Sequence, residues 1–233
     1  MIDETARLAR RSFLSRFGVG ATALGAAFGA ADRPLVAQSA PAGWQPARHT
    51  EDDWFDQVTA KHKFFLDTTT PAGIGQAIFF ANNYFSASRS GYGLTDADSA
   101  LIIGVRHQST AFAYSDAMWA KYGGPLSERA MFSDPKTKQA PTVNVYQTAG
   151  YGTLLPNTNV LFDAVIRRGL RVSVCAMATR ANASLIAQKT GGNVDEIFKE
   201  LTEHLVPNAH MVPAGIVAAN RAQERGYSFA YVE

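Results

Sequence analysis

Residues 99–105, SALIIGV, run seven positions without a charge and without polar–apolar alternation. A strand with one face in water alternates, whereas a strand covered on both faces is apolar throughout. This stretch therefore predicts the buried centre of a parallel sheet with helices on either side. Similar short apolar runs recur at residues 61–67 (KHKFFLD), 171–176 (RVSVCA), 209–213 (AHMVP) and 227–232 (YSFAYV). Between them lie stretches with helical spacing. Pro71-Ala72-Gly73 opens a helical stretch over residues 74–88, in which Ile74, Ala77, Ile78, Ala81 and Phe85 fall on one side. Further helices are predicted at 114–122, with Ser115 as N-cap, then at 159–168, stopped by Gly169, and at 179–189, 195–205 and 216–225, stopped by Gly226. Strand and helix in repeated succession imply right-handed βαβ units. The expected fold class is α/β: a three-layer α/β/α domain, Rossmann-like or flavodoxin-like, with a mostly parallel sheet of about five strands.

The expected domain occupies residues 59–233, with an insertion at 123–156 where Gly, Pro, Ser and Lys break the periodicity. Its length gives it the character of a lid or functional loop. Residues 40–58, rich in Ala, Pro and polar side chains, read as an extended arm. The aromatic group Phe64, Phe65, Phe79, Phe80 and Phe85 is expected in the core.

Residues 1–39 read as an export signal and the start of a linker. Arg10-Arg11-Ser12-Phe13-Leu14 precedes an apolar Gly/Ala-rich run from residue 17 to 31. Paired arginines before such a run resemble a twin-arginine signal, although Ala9 and Ser15 depart from its usual flanks. The run is shorter than the roughly 20 residues that cross a bilayer, so no stable membrane span is expected. Cleavage after Ala31 and cleavage after Ser39 both fit. The expected destination is the periplasm. The formal net charge of +2 comes from this leader; residues 38–233 carry equal numbers of basic and acidic side chains. A neutral body lacks the basic footprint of a nucleic-acid binder.

Chemistry in an open α/β sheet gathers outside the carboxyl ends of the strands. That rule selects His107 and Gln108 after the second strand, Cys175 with Thr179 and Arg180 after the next, and Gly215 in the turn Pro213-Ala214-Gly215. Cys175 is the one cysteine of the chain, so no intramolecular disulfide can form. Val172 and Val174 alternate with Ser173 and Cys175, which directs the thiol to the opposite face from the valines. Thr179 is a candidate cap for the following helix, whose amide end and Arg180 would favour an anionic sulfur. The other reading of Cys175 is a small core hydrophobe. No metal-ligand spacing, nucleophile elbow or dinucleotide fingerprint is present, so no cofactor is expected. A metal held by His107 and Cys175 ranks below the other two uses of the thiol.

The segment Val172-Ser173-Val174-Cys175-Ala176, followed by His210-Met211-Val212-Pro213-Ala214-Gly215-Ile216 and Arg225-Gly226-Tyr227, resembles the DsrE/DsrF-like family, relatives of bacterial sulfur-relay subunits. The likeness is good over residues 160–232 and looser before them, although the helix Asp116–Tyr122 is similar to that of exported members. It implies a homo-oligomer, a thiol or sulfur-carrier partner, and persulfide sulfur carried on Cys175, in the manner of a sulfurtransferase. Two departures stand against it: the relay subunits work in the cytoplasm, and they lack the 123–156 insertion. The alternative is a non-catalytic oligomeric module whose crevice binds a small ligand or a partner.

Overall fold

The computed structural model describes residues 45–233. The export-signal expectation for residues 1–39, and the first part of the arm, lie outside the described residues. Residues 46–233 form one compact unit. Its five strands are β1 (His62–Thr68), β2 (Ser99–Val105), β3 (Arg171–Cys175), β4 (Ala209–Val212) and β5 (Ser228–Val232). All neighbours pair in parallel, in the order β4-β3-β2-β1-β5. β2 lies at the centre and every one of its residues is buried, as its unbroken apolar run requires.

The helices are α1 (Pro71–Tyr92), α2 (Asp116–Ala130), α3 (Phe162–Arg167), α4 (Ala176–Thr190), α5 (Val194–Glu203) and α6 (Gly215–Glu224). Three crossovers, β1 to β2 to β3 to β4, step in one direction, and the last returns across the sheet to β5. Because parallel crossovers are right-handed, steps in one direction put their helices on one face and the return puts its helix on the other. The core divides accordingly. On the first face, residues of α1 to α5 pack with Leu66, Leu101, Ile103, Val105, Val172 and Val174. On the second, Ala218, Ala219 and Ala222 of α6 pack with Phe65, Ala100, Ile102 and Val212. A three-layer α/β/α domain results.

Several boundaries differ from the sequence expectation, each for a local reason. α1 starts at Pro71 because Thr70 caps it, its hydroxyl accepting the Gly73 amide at 2.9 Å, with Pro71 pre-set at the first helical position. Ser115 takes the N-cap position of α2 with extended backbone, but its buried hydroxyl makes no capping bond. α2 runs on to Ala130, past the expected stop at Tyr122, whose φ of −123° marks a kink. Beyond the kink Pro125 falls in the first turn of the second segment, where a missing N–H costs nothing. Within the aromatic group, Phe65 and Phe85 are buried, while Phe80 is exposed on the outer side of α1.

The described part of the arm and the insertion are both built into the fold. Thr50–Asp56 forms a 3-10 turn that buries Trp54 and Phe55 against the second face. Burying two such rings contributes about 2 kcal/mol each, ample to dock the segment. The insertion packs on the first face. Asn144 donates from Nδ2 to the carbonyls of Phe112 and Tyr114 at 2.8 and 2.9 Å, and the Tyr146 hydroxyl reaches the Pro71 carbonyl.

Trp54 contacts two cationic-capable partners, with His210 stacked on it at 4.7 Å and the Arg171 guanidinium 4.7 Å from its centroid. Burial, then the Arg171 charge, pull the His210 imidazole below its ordinary value of 6.5. Below that value an unfolded chain takes up a proton that the folded one resists. Stability is therefore fully present above about pH 6.5 and declines as pH falls through the folded titration. Urea unfolding midpoints are expected to drop between about pH 7.5 and about pH 5.5, and His210→Phe, which keeps the stack, is expected to shrink that drop. An unchanged slope in the variant would remove His210 from the account.

Candidate functional site

The chain passes from β3 straight into α4 on the first face, while the loop after β4 enters α6 on the second. Adjacent strands whose continuations part to opposite faces leave a crevice at their carboxyl ends. A cavity of about 280 Å³ occupies this point. Its wall is formed by Cys175, Met177, Ala178 and Ala181 on one side and Ala214, Gly215 and Ile216 on the other, with Arg106, His107 and Arg129 completing it.

The geometry begins with β3. Strand hydrogen bonding pairs Cys175 with Val212 of β4, and α4 starts at the next residue, with no connecting loop. Cys175 is consequently the last strand residue and the helix N-cap together. Its Sγ accepts the Ala178 amide at 3.4 Å. The residue is 6% exposed, and what it shows faces the cavity. The cap expected from Thr179 is thus supplied by the thiol. Thr179 lies one turn further on, fully buried, and accepts the Tyr114 hydroxyl at 3.1 Å. Asn182 donates to that same hydroxyl at 2.9 Å, and burial pushes the Tyr114 phenol up to about 12. This neutral network joins α4 to the segment after β2 without reaching the cavity.

The β2 side is fixed by a tight turn. The amides of Gln108 and Ser109 both point at the Thr69 carbonyl, at 3.0 and 3.1 Å, and the Ser109 hydroxyl accepts the Arg106 amide at 3.1 Å. Serving one acceptor with two successive amides turns His107 left-handed, at φ +57°, and places it at the cavity rim. A non-glycine residue in that region carries strain, which concentrates at functional sites. Arg106 folds back on Asp67, at the end of β1, through three contacts of 2.8 to 3.1 Å. Asp67 is buried, and its hydrogen bonds hold the Arg106 guanidinium charged, above its ordinary range. Gly215 makes this path possible, since a Cβ there would stand 2.8 Å from the Arg106 Cβ.

Of the residues expected from sequence, the cavity brings together Cys175, His107 and Gly215. Gln108 contributes its backbone to the turn and does not line the cavity. Arg180 points elsewhere: it pairs with Asp195 and lies 4.2 Å from the Phe198 ring centroid, so it supplies no charge to the wall. Arg106 and Arg129 stand there instead. The signal that could have found Arg106 is Asp67, the acidic residue at the end of the neighbouring strand. Arg129 comes from the part of α2 that reads as irregular in sequence. None of residues 131–156, the rest of the insertion, lines the cavity. Among the described residues no three His, Cys, Asp or Glu side chains gather as a metal would require, and no helix is long and apolar enough to cross a membrane. No family model, curated protein or solved structure matches the chain.

Proposed function

We propose that this chain is an exported sulfur-handling protein of the DsrE/DsrF-like type, which takes sulfane sulfur onto Cys175 and passes it to an acceptor thiol. One observation carries this: the one sulfur nucleophile of the chain forms part of an open cavity at the crevice where α/β sheets hold ligands. The Cys175 sulfur accepts the Ala178 amide at the start of α4, and Arg106 and Arg129 line the same cavity. In the step, the Cys175 sulfur attacks the outer sulfur of a persulfide R–S–SH. The bond from that atom to R–S breaks, R–SH leaves, and Cys175 carries –S–SH; no external oxidant is needed. Transfer to a partner thiol repeats the exchange. The leader supports export to the periplasm, and a carrier of this kind works with a thiol-bearing partner or another copy of itself.

Incubating folded, reduced protein with inorganic polysulfide is expected to add one sulfur atom, seen in the intact mass, and Cys175→Ser should abolish the addition. A folded wild-type protein that gains no sulfur would overturn the proposal. The low exposure of Cys175 favours a second reading, an oligomeric module that binds a small ligand in the same crevice without chemistry. Thiol titration separates the two. Labelling of the native state fits sulfur transfer, and labelling only after unfolding fits the module.

A further inference from the structure

The cavity has a charge pattern that constrains what could meet the thiol. None of its lining residues is acidic. Arg106 is neutralised by its two-pronged pairing with Asp67. Arg129, half-buried near the end of α2, makes no ion pair or side-chain hydrogen bond with any described residue, although most arginines of the domain do. One uncompensated cation therefore faces a space that it shares with the paired Arg106, with His107 at the rim, and with the apolar side chains of Met177, Ala178, Ala181, Ala214 and Ile216. A guanidinium that lines an apolar recess without a partner attracts an anion with a short hydrocarbon portion. The volume of about 280 Å³ suits a small organic anion.

We infer that the sulfur compound received by Cys175 is a small organic disulfide or persulfide bearing a carboxylate, and that Arg129 is the residue selecting it. This rests on the sulfur-handling reading of the same cavity. Arg129 positions the carboxylate while the apolar wall takes the carbon chain, which leaves the S–S bond over Sγ. For a disulfide R–S–S–R, attack by the Cys175 thiolate forms Cys175–S–S–R, and R–S⁻ departs and is protonated by water.

The test uses the full chain and three disulfides of similar size: dithiodiglycolate, with carboxylate ends; bis(2-hydroxyethyl) disulfide, with neutral ends; and cystamine, with cationic ends. Rates of mixed-disulfide formation are read from the intact mass for wild type, Arg129→Ala and Arg129→Lys, with near-ultraviolet circular dichroism confirming that the variants are folded. Arg129→Ala is expected to slow the carboxylate reagent about tenfold, to leave the neutral one unchanged and to speed the cationic one, because a single charge in a cleft changes encounter rates by that order. Arg129→Lys should restore most of the preference. An equal effect of Arg129→Ala on all three reagents would overturn the inference, as would a native thiol inert to all of them. Failure here is distinguishable from failure of sulfur transfer. Charge selection without sulfur uptake from polysulfide would sink the carrier alone, and sulfur uptake without charge selection would sink only the role of Arg129.

Discussion

Replacing Asp67 by alanine is expected to lower the unfolding free energy by about 3 kcal/mol, the cost of removing one partner from a buried ion pair. Asp67 is 1% exposed and receives both nitrogen edges of Arg106. With the carboxylate gone, the guanidinium must either stay against the second face unpaired or swing into the cavity. The value falls at the low end of the range for buried pairs because the Arg106 side chain keeps 22% exposure. The double variant Asp67→Ala with Arg106→Met is expected to recover much of the loss, since no charge is then stranded. Urea unfolding of the wild type, both single variants and the double variant measures the coupling. A loss below about 1 kcal/mol for Asp67→Ala would show that water screens the pair as it does on a surface.

Gly123→Ala is expected to cost about as much, roughly 3 kcal/mol at the upper end of overpacking penalties, and to disturb the cavity as well. A Cβ at Gly123 would stand 2.1 Å from the Pro141 carbonyl oxygen, a backbone atom with no rotamer to yield. Gly123 immediately follows the kink at Tyr122, and the second segment of α2 carries Arg129 to the cavity. Relief of the clash must shift either the packed insertion or that segment. The variant should show both a lower urea midpoint and a weaker preference of Cys175 for carboxylate disulfides. Gly124→Ala, next in the chain with open space around its Cβ, is the control and should leave both unchanged. Equal behaviour of the two variants would remove the close approach from the explanation.

The sheet was legible because its signal is local and strong. SALIIGV has no solvent-facing position, and each strand-to-helix change of period survives inspection one window at a time. Cap chemistry was less so. Pro71 marked the opening of α1, but the Thr70 cap before it went unread, and a cysteine used as an N-cap has no distinctive pattern. Burial of Trp54 and Phe55 depends on a sheet face closed by a single helix, a property of topology that composition does not express. At the site, strand ends pointed to Cys175, His107 and Gly215 because the crevice rule is positional. The same rule placed Arg180 near the thiol by sequence distance, whereas helix geometry turned it toward Asp195 and Phe198. Arg129 lies 46 residues before Cys175 in the chain, and only the path of α2 beyond its kink brings the two to one cavity.

The direct passage from β3 into α4 has a bearing on how such a protein can change. A reactive atom mounted on a loop can drift as the loop lengthens, shortens or loosens. Here the preceding residues are locked into a sheet ladder and the following ones into a helical turn, so the sulfur has no slack in either direction. New specificities are therefore open to this scaffold through exchange of the surrounding walls, around an anchor that stays where the backbone puts it.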